Sequence, residues 1–368
     1  MKRLLCLLIA MPLLAWADDA AAWADPDLAL ETAEVAPPPP PPPPPAVKKA
    51  AALYTLPFHL RPISAGHVVR LDNVLAFYNA TEGKAKAAPG ASLKGMKEVS
   101  ILNAGYRIAK DFGVLARIGL ANHWPSKENE DKGPTATLRP ETVDANGRPK
   151  SGTTLTNGLL LFSYTPQFKD GDIRTAFYLG ASIPIGSGGG NNADQFARHN
   201  NLMNLMVRSA MDNAMFVVND MAAIGGIGVA YVKHGVTAQA EVTYLEIMRA
   251  RGEKMQPAEV VKRNLVTGAF VGYAIIPQLS AGVELRYQRW LKPPHLIRDL
   301  GDENHKTYNK DVYDIRMHNM VVALGLRGNF KVGEKTFFRP AISYGMGVMG
   351  EIGDNKYHLI QLDLPFIL

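Results

Sequence analysis

Ionisable side chains recur at alternate positions inside otherwise apolar segments of this 368-residue chain. Glu284 and Arg286 alternate with Val283, Leu285 and Tyr287, and Asp363 stands between Leu362 and Leu364. The set on that parity is Arg70, Asp72, Arg107, Arg117, Arg174, Glu241, Glu284, Arg286, Arg327, Arg339 and Asp363. Seven basic and four acidic members give it a formal charge of +3. Two chemistries suit such a set. Lining a wet passage, it would contact solutes and favour anions; paired among themselves, the arginines and carboxylates would fill a narrow interior. Arg70, Arg107, Arg174, Arg327 and Arg339 fall near segment ends joined by short connections, and would form a basic belt at one mouth.

Nucleophilic or metal chemistry has less to work with. His67, His123, His199, His234, His318 and His358 are scattered, with no linked Ser motif for acyl transfer. No His-x-x-x-His or His-Glu-x-x-His pair suggests zinc. Catalytic residues, metal ligands and cofactors are therefore expected to be absent, and an enzyme is not expected; an outer-membrane hydrolase ranks below the other readings.

A third group lies between Gly186 and Val218. It opens Gly-Ser-Gly-Gly-Gly-Asn-Asn, yet no Gly-Lys-Ser/Thr follows to make a phosphate loop. Phe196, Met203, Met206 and Met211 then recur at helical spacing. An amphipathic helix here needs an apolar surface to cover. It predicts either a constriction folded into a lumen, where methionine is a tolerant contact for apolar solutes, or a cap on the rim.

The elements that position these residues follow from periodicity. From residue 65 on, period-two alternation marks twelve segments: 67–79, 97–108, 114–123, 154–165, 172–185, 220–232, 236–248, 261–275, 279–290, 316–330, 336–346 and 357–368. Most exceed the five or six residues usual for soluble strands. Connections alternate strictly, short at 109–113, 166–171, 233–235, 276–278 and 331–335 and longer between. Tyr106, Tyr164, Tyr231, Tyr273, Phe330 and Phe366 sit on the apolar parity near the short-turn ends, as an interfacial girdle would. Together these predict an all-β fold: a transmembrane antiparallel up-and-down barrel of about 12 strands. Lipid would contact its outer face. The last strand, Ile360 to Leu368, resembles the C-terminal β-signal recognised by the outer-membrane assembly machinery, ending here in Leu rather than Phe.

Composition agrees. Gly and Pro together supply 59 of 368 residues, 47% are hydrophobic, and mean hydropathy is −0.06, too apolar for a disordered chain. Lys2-Arg3, the apolar run from Leu4 and Ala15-Trp16-Ala17 read as a signal peptide over 1–17; Ala22-Trp23-Ala24 offers a second cleavage site. Removing the signal takes the net charge from +6 to +4, and no dense basic cluster argues for nucleic acid. The only cysteine, Cys6, goes with it. Residues 18–64 form an Ala/Pro-rich linker whose nine prolines, Pro37 to Pro45, extend about 28 Å as polyproline II. It would lie in the periplasm, with the C-terminus, as a spacer or as the ligand of a periplasmic partner. Its end, Val47 to Ser64, is apolar enough to dock on the barrel.

The segment 65–368, with the stretch Ala176-Phe-Tyr-Leu-Gly-Ala-Ser-Ile-Pro-Ile-Gly186 leading into a long loop, resembles the twelve-stranded outer-membrane proteins of the meta-pathway phenol-degradation transporter type. That resemblance implies a porin-like channel or transporter for passive passage of small, often apolar or aromatic molecules. The alternative expectation is a structural or adhesive barrel held to a periplasmic partner by the Pro-rich arm.

Overall fold

The computed structural model describes residues 54–63, 66–81, 83–84, 94–125, 151–191, 194–252 and 261–368. The expected signal peptide, its two expected cleavage sites and the proline run lie outside the described residues.

Twelve long strands form a closed antiparallel barrel. In chain order they are β1 (Val68–Asn79), β2 (Lys94–Ala109), β3 (Phe112–Pro125), β4 (Gly158–Tyr164), β5 (Ile173–Ile183), β6 (Asp220–Lys233), β7 (Val236–Arg249), β8 (Lys262–Ile276), β9 (Leu279–Lys292), β10 (His318–Gly328), β11 (Ala341–Met349) and β12 (His358–Ile367). Each pairs with its sequence neighbour, and β12 pairs back on β1 from Val68↔Ile367 to Phe77↔His358. Closure leaves no unpaired edge, which is what a strand protein needs in hydrocarbon. Among the described residues no helix is long and apolar enough to cross a membrane.

Alternation in sequence becomes alternation in space. On β9, Val283 is 54% exposed while Glu284 beside it is fully buried. On β1, Val69 and Leu71 point outward while Arg70, Asp72, Val74 and Ala76 point in. The outer surface is thus apolar and the interior mixed, the reverse of a soluble sandwich. All six girdle aromatics are exposed at the short-turn end, and Tyr164 stacks between Phe112 and Phe177 with centroids 4.7 and 6.2 Å away. One of the two-residue turns joins Lys233 to Val236 through His234 (φ 51) and Gly235 (φ 80). Two successive positive φ angles match the right-handed twist of the flanking strands.

The twelve predicted segments all exist, with local differences. The fourth is interrupted: Gly152–Leu155 pairs with the far end of β3, the chain breaks at Thr156 and Asn157, and β4 begins at Gly158. The tenth begins two residues late, because a helix over Lys310–Arg316 runs up to it. Between β10 and β11 a small hairpin pairs Phe330–Lys331 with Phe337–Phe338 and extends the wall.

Long connections carry short helices: α1 (Gln195–Met203), α2 (Asn213–Phe216), α3 (His295–Gly301), α4 (Lys310–Arg316) and α5 (Gly350–Asp354). The continuous helix predicted from Phe196 to Met211 is not formed. A 3-10 turn, Leu205–Arg208, follows α1, and Ser209 and Ala210 then adopt left-handed φ of 57° and 53°. Asn200, Asn201 and Asn204 explain the early stop: all three are buried and hydrogen-bond main-chain carbonyls, as short amide side chains do in place of continued helix.

A plugged lumen as the candidate functional site

The interior is filled by two segments that belong to no strand. The first is Tyr54 to Ile63, which precedes β1. It runs in from the short-turn end, reverses near Phe58 to Leu60, and returns to Ile63, where the amide donates to the Tyr54 hydroxyl at 3.0 Å. Wall side chains take up its main chain. Glu284 accepts from the Phe58 and His59 amides at 2.7 and 3.1 Å, and Glu241 from the Arg61 amide at 2.9 Å. Arg327 donates to the carbonyls of Leu56 (3.0 Å) and Pro57 (2.9 Å); Gln361 (2.7 Å) and Arg70 donate to that of Phe58. Gln239 donates to the Arg61 carbonyl at 2.8 Å, and Thr237 accepts from the Thr55 amide at 3.0 Å. An irregular segment has no ladder of its own, so these bonds meet the requirement that buried peptide groups be paired.

Apolar sockets seat its side chains. Phe58 meets Phe270 edge-on at 5.7 Å. Leu60 fills the hollow left by Gly268, where a Cβ would stand 2.2 Å from its Cδ2. Ile63 lies over Gly228, where a Cβ would stand 2.9 Å from its Cδ1.

The second segment is the loop between β5 and β6. Helix α1 stays at the far rim, with Phe196 over Gly152 and Asn200 bonded to Ala121, Gly152 and Thr154. Beyond it the chain descends. Val207, Met215 and Phe216 pack on Val74, Ala76, Val99 and Ile101 of the inner wall. Asn157, at the break before β4, clamps the return: its amide donates to the carbonyls of Ala214, Val217 and Asp220.

The two segments meet in a buried charge network. Arg208, with no exposed surface, lies between Asp72 (2.8 Å) and Asp212 (3.0 Å). Asp212 also takes both terminal nitrogens of Arg117 at 2.8 and 3.0 Å. Arg70 joins Asp363 at 2.5 Å, Arg327 joins the same carboxylate at 2.6 Å, and Arg286 joins Glu284 at 2.6 Å. Burying a charge is tolerable only with such partners. Some polar atoms at the junction still lack a hydrogen-bond partner: His59 Nδ1 and Nε2, Arg61 Nε, Arg117 Nε and Arg208 Nη2. A cavity of about 120 Å³ remains beside the plug, reaching from Gly66, Gly113 and Ile367 to Arg70, Asp72 and Arg117. At the far rim, burial pushes the Glu351 carboxyl of α5 above its ordinary range, opposed by the charge of Arg316.

Of the eleven residues read as lining the lumen, Arg70, Asp72, Arg117, Glu241, Glu284, Arg286, Arg327 and Asp363 are buried inside the barrel. Arg174 and Arg339 are half-buried at the short-turn end, Arg174 over the Tyr54 ring at 4.9 Å, and Arg107 is exposed. The five arginines therefore do not form one free belt, since Arg70 and Arg327 share Asp363 and hold plug carbonyls. In the loop, Met211 is buried while Phe196, Met203 and Met206 are half-buried.

Sequence reasoning missed Arg208, Asp212, Asn157, Gln239 and Gln361. Asn157 carried a local signal as an Asn-Gly step, and Gln239 and Gln361 as polar residues two positions before Glu241 and Asp363 on the inward parity; Arg208 and Asp212 carried none. Among the described residues no three His, Cys, Asp or Glu side chains are grouped to hold a metal.

No family model and no curated protein matches the chain. Solved structures do. An outer membrane channel from Pseudomonas putida F1 is similar at 8% identity and a TM-score of 0.49, over 86% of this chain and 98% of that one. The NanC porin is similar at 7% identity and a TM-score of 0.41, over 81% and 100%. The KdgM porin in complex with disordered oligogalacturonate is similar at 8% and 0.38, over 81% and 98%. Likeness at this level assigns no solute to this chain.

Proposed function

We propose that this chain is an outer-membrane channel for the passive passage of small molecules, closed in the described state by its own N-terminal segment and the loop between β5 and β6. One observation carries the reading. The interior wall mixes charged with apolar side chains and is filled by segments outside the sheet, and such segments can leave without breaking a strand pair. The orphaned polar atoms at His59, Arg61, Arg117 and Arg208 support a movable closure, because a buried unsatisfied polar atom costs about 1–3 kcal/mol and regains water when the packing opens. Short turns, the N-terminal segment and the C-terminus would face the periplasm, and the last strand would engage the assembly machinery. The transporter resemblance suggests small apolar or aromatic solutes.

The filled lumen also supports the second reading, a structural or adhesive barrel whose Pro-rich arm binds a periplasmic partner. Planar-bilayer conductance of the refolded chain separates the two. Stepwise channels that widen when Arg327 or Glu284 is neutralised support transport; a barrel silent in every variant and solute supports the structural role.

A further inference from the structure

The wall holds the plug largely through main-chain groups, and this has a chemical meaning. Glu284, Glu241, Gln239, Gln361, Arg70 and Arg327 recognise amide N–H and C=O, which every peptide carries. Specificity comes from sockets beside them: Phe270 for an aromatic ring, and the hollow of Gly268 for a branched side chain two residues on. From this we propose that the lumen is a binding site for a short, largely apolar peptide that bends back on itself, which the chain fills with residues 54–63 in the closed state. The plug is then a ligand in cis, and free peptides with an aromatic and an aliphatic residue in that spacing are the solute or blocker the site takes. Proline at positions 57 and 62 fits this use, because the wall hydrogen-bonds both residues at their carbonyls and proline brings no amide hydrogen that would need a partner.

The inference rests on the channel reading in one respect, that the plug can leave. The barrel as a whole is kept, with Phe58→Gly and Leu60→Ser loosening the plug and leaving every wall residue intact. Heat-modifiable migration on unheated gels reports folding. A fluorescent peptide of sequence Tyr54 to Ile63 is titrated into this barrel in detergent and followed by polarisation, a readout independent of conductance. Saturable binding is expected, at least tenfold tighter than for a scrambled peptide. N-methylation of the Phe58 and His59 amides in the peptide, which keeps both side chains and removes the donors to Glu284, should weaken it tenfold or more. Equal binding of native, scrambled and N-methylated peptides, or none of the native one, overturns the proposal. In a bilayer the native peptide should also return the loosened channel to the wild-type level. A channel that conducts and ignores the peptide leaves the transport reading standing and sinks this one.

Discussion

His59 and Asp212 face each other across the meeting point of the two luminal segments, Nε2 to Oδ2 at 3.6 Å. One belongs to the plug and the other to the loop, and neither belongs to a strand. Asp212 is held by Arg117 and Arg208, and the imidazole stands just beyond hydrogen-bond distance of it.

Asp212→Asn should therefore leave two buried guanidinium groups short of their counter-charge. Removing one partner of a buried pair costs about 3–5 kcal/mol. Because the loop packs inside a wall that is independently hydrogen-bonded, the loss is expected as loosening: the temperature at which the folded gel band disappears falls, and single-channel recordings show larger, more frequent openings.

Gly268→Val fills the Leu60 socket from the wall side. A Cβ there already overlaps Leu60 Cδ2 at 2.2 Å, so the plug must shift. Higher conductance with unchanged assembly is the expected outcome, and no change would mean that the plug does not set the resistance.

Arg327→Gln should raise conductance more than it alters ion selectivity. This guanidinium is committed to Asp363 and to two plug carbonyls. Reversal potentials in a salt gradient, measured beside conductance, distinguish a clasp from a selectivity charge; a loss of anion preference without wider openings would favour the latter.

Val283→Arg tests the lipid face. Val283 lies mid-strand on β9 with 54% exposure, and arginine at the membrane midplane costs about 2–4 kcal/mol. Assembly yield should drop sharply, whereas Leu296→Arg in exposed α3 should assemble normally. Gln288 is no tolerant control, since it is fully buried and accepts from Asn319 at 2.9 Å.

The wall was legible because its signal is local. Val283, Glu284 and Leu285 announce inside and outside within three residues, and the twelve segments follow from repeating that test. The contents of the lumen were not legible for the converse reason. Glu284 meets Phe58 at a separation of 226 residues, and Arg208 meets Asp72 at 136. Nothing near either partner encodes the meeting. The apolar character of the segment before β1 showed that it would dock, but its backbone contacts are blind to sequence at the plug, so its depth could not be read. Helix α1 was visible in the spacing of Phe196 and Met203. Its end was not, because three asparagines and two left-handed residues override the apolar period.

The barrel seam joins Val68 to Ile367 and Phe77 to His358, uniting the first strand with the twelfth. That last strand also reaches inward, Gln361 to the Phe58 carbonyl and Asp363 to Arg70 and Arg327. Pairing β12 with β1 thus also completes the part of the plug's seat that Gln361 and Asp363 supply. A chain that stopped before β12 would leave β1 and β11 as open edges and the plug without Gln361 and Asp363, so an unclosed cylinder and a weakened stopper would come together.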